Sequence, residues 1–155
     1  MKKLFIIVLV FIATSIYAQN VDDFIQLLKS DVQKDKTTII TQVMKFTDDQ
    51  SKVFWPIYND YSNELMKLSD KRVANIKDFA ANYDSLKEEK ANQLMENAFS
   101  FQSDRLDLNE KYYNKFADAL GAIVAAKYMQ LEYEIQLIID LSVNSSLPLA
   151  KKPGE

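Results

Sequence analysis

The chain has no cysteine and no histidine in its 155 residues. Without thiols there is no disulfide staple and no thiolate nucleophile, so packing alone must hold the fold. Without imidazole the commonest general base and the commonest zinc ligand are missing together, which excludes Ser-His-Asp catalysis and histidine-bound zinc. Only two glycines and three prolines punctuate the sequence, too few for many turns or short strands. Basic residues are outnumbered, 19 against 22, giving a net charge of −3. A nucleic-acid partner needs a basic face that this balance does not supply.

What is present begins with an export signal. Lys2 and Lys3 form a positive n-region, LFIIVLVFIATSI an apolar core, and Ala18 a small residue for cleavage before Gln19. The apolar run is shorter than the ~20 residues of a membrane span. Residues 1–18 are therefore expected to be removed, leaving a periplasmic or secreted protein with no stable membrane insertion. Loss of the two lysines leaves 17 basic against 22 acidic residues, a net charge of −5.

The remainder reads as one all-α domain over residues 19–145, with a flexible tail over 146–155. The expected architecture is an elongated four-helix hairpin or bundle. The first helix, about 21–45, carries Phe24, Leu27, Leu28, Val32, Ile39, Ile40, Val43 and Met44 near helical spacing. The second opens at FTDDQSKVFWPIYNDY, where Thr47 and Gln50 have the spacing of a capping box and Asp48 and Asp49 complement the helix dipole. Its apolar stripe runs through Phe54, Tyr58, Tyr61 and Leu65 to Phe79 and Tyr83. A third helix is expected from about Leu86, with Ser85 and Glu88 as its capping pair, ending near Gly121. The fourth covers about 122–143, and Pro148 excludes its continuation.

Pro56 falls inside the second helix, where it removes a donor from the Lys52 carbonyl and predicts a kink. Around it Phe54, Trp55 and Tyr58 form an aromatic group, either core or exposed on a concave face. Tyr112 and Tyr113 in NEKYYNKF, and Tyr128 and Met129 in KYMQLEYE, combine soft apolar contact with lysine stems. These seven residues are the candidate protein-binding set. Eight tyrosines and nine phenylalanines exceed what a slender bundle easily buries, so the surplus points to a dimer interface or a client-binding face. A patch of Lys71, Arg72, Lys111 and Lys115 beside Tyr112 would favour unfolded clients, and scattered lysines a single docking partner. The carboxylate pairs Asp48/Asp49, Glu88/Glu89, Asp104/Asp107 and Glu132/Glu134 are expected at helix N-termini or on solvated faces. None sits in a calcium-loop pattern, and no metal, cofactor or catalytic set is implied.

FTDDQ resembles the LTxxQ motif of the Spy/CpxP group of small periplasmic helical proteins, with Thr47 and Gln50 in the matching places and Phe46 in that of leucine. Leu86 opens the nearest candidate for the second copy of the motif found in that group. The resemblance implies an α-helical, cradle-shaped homodimer without an enzymatic site. Spy-like members act as ATP-independent chaperones for unfolded clients, and CpxP-like members dampen an envelope sensor kinase. It therefore implies a stress-response role, either through many clients or through one envelope partner.

Overall fold

The computed structural model describes residues 36–151, all within one unit of the chain. The expected signal segment and the N-terminal part of the first helix lie outside the described residues. Four helices and no strand occur among the described residues. Helix α1 covers residues 36–44, α2 Asp48–Asn82, α3 Glu88–Leu120 and α4 Ala122–Ser145; a short 3-10 turn, Tyr83–Ser85, follows α2. The protein is an all-α bundle.

Helix α1 ends at Lys45, whose backbone is left-handed (φ 50°) and whose N–H closes on the Thr41 carbonyl. Two residues later α2 starts on a complete capping box. The Thr47 hydroxyl accepts from the Gln50 N–H, and the Gln50 side chain accepts in return from the Thr47 N–H. Four of the donors at a helix start lack an intrahelical partner, and this reciprocal pair satisfies two backbone donors at once. From there α2 runs for 35 residues, about 52 Å at 1.5 Å per residue, and continues as helix past Pro56.

The start of α3 differs from the expected one. Leu86 is extended (ψ 123°) and Lys87 is the N-cap, with no side-chain cap bond. Ser85 is taken up in the 3-10 turn, so its hydroxyl cannot reach the first turn of a helix that begins only at Glu88. The α3–α4 reversal is made by one residue. Gly121 ends α3, with its N–H on the Ala117 carbonyl, and begins α4 by accepting from the Ala125 N–H. Its φ of 88° and ψ of 149° lie in a region open almost only to glycine.

Helices α2 and α3 are antiparallel. Phe54 stacks on Phe116 at one end, and Asn75 reaches the Leu94 carbonyl toward the other. Helix α4 returns beside α3 and meets α2 through long side chains: Tyr61 to Glu132, and Arg72 to Asp140 and Asn144. With 24 residues α4 is shorter than its neighbours, so the tip of the α2–α3 hairpin extends beyond it. The core occupies the other end, where Ile40 and Met44 of α1 join Phe54, Tyr58, Tyr61, Tyr112, Phe116 and Tyr128.

Candidate functional site

The residues singled out in the sequence for protein binding are mostly interior. Phe54, Tyr58, Tyr112, Tyr128 and Met129 are buried, and Trp55 and Tyr113 are half-buried. Phe54 is the hub, with ring centroids 4.4 to 5.7 Å from those of Phe46, Trp55, Tyr58, Phe116 and Tyr128. Edge-to-face and offset contacts of this kind add to the area each ring buries. Most of these aromatics are thus used as a core, and the seven residues do not form one exposed surface.

Beside that core lies a polar group that the sequence analysis missed. Glu132 is fully buried, although its pairing with Glu134 suggested a solvated face. Its Oε1 accepts from Lys36 Nζ at 2.7 Å and from Gln136 Nε2 at 2.8 Å, and its Oε2 from the Tyr128 hydroxyl at 3.3 Å. The Tyr61 hydroxyl lies 3.0 Å from Glu132 Oε1 and 2.9 Å from Asn109 Oδ1, so its one proton serves only one of them. A charge in the interior is tolerated when it is paired and its remaining lone pairs are bonded, and Glu132 meets both conditions. Burial, then the Glu132 charge, raises Tyr58 to about 12 and pushes Tyr61 and Tyr128 well above the usual phenol value. A signal for this group was available: Tyr128, Glu132 and Gln136 recur every fourth residue on one helix face.

The basic residues expected as a patch are tied up one by one. Lys71 pairs with Asp104, Arg72 with Asp140 and Lys111 with Glu64, while Lys115 lies 4.5 Å over the Tyr112 ring. Asp140 also receives Arg105, and both guanidiniums flank the Phe101 ring. Burial pushes the Asp140 carboxyl up, but the two arginines outweigh it and hold the group below the usual value. At Glu64, hydrogen bonds from Lys111 and Tyr112 lower the carboxyl. Burial and that same carboxylate raise the Tyr112 phenol.

The accessible apolar surface is elsewhere. Phe99 and Leu106 of α3 and Leu137, Ile138 and Leu141 of α4 are each between 60 % and 70 % exposed. Arg105 and Asp140, 2.9 Å apart, fix where the two helices meet. At about 100° per residue, Leu106 on one helix and Leu137 and Leu141 on the other then emerge together on the side of the α3–α4 layer away from α2. Phe99 continues the strip two turns along α3. Together Phe99, Leu106, Leu137 and Leu141 expose on the order of 500 Å² of largely apolar surface, at the size where such patches mark interaction sites.

Among the described residues, no cluster of three or more acidic side chains is placed to hold a metal ion. No family model, curated protein or solved structure matches the chain.

Proposed function

We propose that this is an exported, periplasmic or secreted protein that binds unfolded or partner protein through an aromatic-apolar surface, as an ATP-independent chaperone-like or envelope-stress factor of the Spy/CpxP type. The observation that supports this reading is the exposed strip of Phe99, Leu106, Leu137 and Leu141 on the outside of a bundle with a packed aromatic core. A strip of this size is comparable with the largest apolar patch of a typical monomer, and such patches are often functional. Residues 1–18 act as the cleaved signal, a homodimer is the working assembly, and the backbone bends at Pro56. Among the described residues no helix is long and apolar enough to cross a membrane.

One observation favours a second reading. Lys71, Arg72 and Lys111 are each in an ion pair, so these residues do not form a free basic patch for promiscuous clients. This fits a regulatory module that docks one specific envelope protein, or a purely structural helical protein.

An aggregation-suppression assay separates them. The chain is added without ATP to two unrelated unfolding clients, beside a Phe99→Ser, Leu141→Ser variant whose helicity is checked by circular dichroism. Suppression of both clients near stoichiometric ratios, lost in the folded variant, is the expected result. If neither client is protected, the general-chaperone reading fails and the docking module takes its place.

A further inference from the structure

The exposed strip has a rim, and on α3 and α4 the charges beside it are of one sign among the described residues. On α3 the solvent-facing charges beside Phe99 and Leu106 are Glu96, Asp107 and Glu110; on α4 the one beside Leu137 and Leu141 is Glu134. None of these four carboxylates has an ion-pair partner among the described residues. The basic residues of the two helices are turned elsewhere. Lys90 pairs with Asp78 on α2, Arg105 is held between the helices on Asp140, Lys111 reaches Glu64 on α2, Lys115 covers Tyr112, and Lys127 caps the Val43 carbonyl. Helical geometry puts Glu110 and Glu134 on the same outward side as the leucines, with Glu96 and Asp107 along the α3 edge.

We infer that this face takes a cationic amphipathic segment of another polypeptide, one whose apolar stripe lies along the exposed α3–α4 strip and whose flanking Lys or Arg side chains meet the acidic rim. The inference rests on the protein-binding reading above and names the chemistry of its client. Apolar contact supplies the attraction, and the rim selects among apolar segments by charge. A second copy of this chain fits the face less well, because a twofold arrangement sets the same carboxylates against one another. Anionic lipid is disfavoured for the same reason.

The test is a fluorescence-anisotropy titration of the purified chain with two labelled helical peptides that share one leucine stripe, flanked by lysines in the first and glutamates in the second. The lysine peptide should bind at least about tenfold tighter, with the preference shrinking as ionic strength is raised and the Debye length falls. A Leu137→Ser, Leu141→Ser variant should lose binding of both peptides. A Glu110→Gln, Glu134→Gln variant, altered only at exposed positions, should keep its fold and lose most of the preference. Equal affinity for the two peptides overturns the inference, as does binding that survives the leucine substitutions. Binding to neutral phosphatidylcholine vesicles in place of the peptide also overturns it. So does a dimer, seen by sedimentation, that dissociates in the leucine variant while no peptide binds, since the face then belongs to a second copy. Aggregation suppression without any peptide preference removes this inference alone. Peptide binding without suppression removes the chaperone reading and leaves the inference standing.

Discussion

Phe54 and Asn75 sit on one helix and both look toward the interior of the same hairpin, yet they hold it by different means. Around Phe54 five aromatic rings close within 5.7 Å, and water is excluded. Around Asn75 the contacts are polar. Its amide donates to the Leu94 carbonyl, its oxygen accepts from Asn97, and Lys90 ties Asp78 nearby. Leu94 is the one buried apolar side chain α3 offers there. A fully buried aromatic side chain is worth several kcal/mol, whereas a partly exposed hydrogen bond or ion pair nets about 1 kcal/mol or less. The two ends of one hairpin should therefore differ in stability although their helices are continuous, and opening should begin at the tip.

Breaking the packed end gives the largest effect. Phe54→Ala should lower stability by about 3–5 kcal/mol, read as a fall in the urea midpoint with an unchanged slope. Lys36→Met leaves Glu132 buried without its counter-charge and should cost about 3 kcal/mol, with Lys36→Met, Glu132→Gln recovering part of it in a double-mutant cycle. Alkali should act at the same end. A phenol whose folded value is raised stabilises the fold fully below its unfolded value of 10 and loses that contribution as pH rises through the folded value. Tyr58, at about 12, accounts for roughly 2–3 kcal/mol of such loss between pH 10 and 12. Phenolate absorbance should show Tyr58, Tyr61 and Tyr128 titrating only as the chain unfolds. Asn75→Ala sharpens the contrast from the other side. It should cost about 1 kcal/mol and appear as faster amide exchange confined to the tip. Exchange that rises equally at both ends would remove the distinction.

The second helix was legible nearly residue by residue. Thr47 and Gln50 announce its start, and the stripe Phe54, Tyr58, Tyr61 its buried face, because capping and periodicity are local properties. The start of α3 was less legible, since Ser85 and Glu88 have the right spacing and only the 3-10 turn removes Ser85 from the cap. The candidate site was hardest to read. Aromatics at helical spacing look alike whether they face a core or a partner, and what decides is which helix lies opposite. Phe99, Leu106, Leu137 and Leu141 carried a helical spacing of their own, but their exposure depends on the α3–α4 pairing. Glu132 was misread because a carboxylate's burial depends on Lys36 and Tyr61, distant in sequence.

The one-residue reversal at Gly121 has a further consequence, for the phase of the fourth helix. With no slack between the last turn of α3 and the first of α4, the connection sets the angle at which every later side chain leaves the helix. One inserted residue would rotate everything downstream by about 100°. Glu132 would swing away from Lys36, and Leu137 and Leu141 would leave their shared side with Leu106. The interior charge and the outer strip are thus set by one join, and a length change there would disturb both together, whereas single substitutions can address each alone.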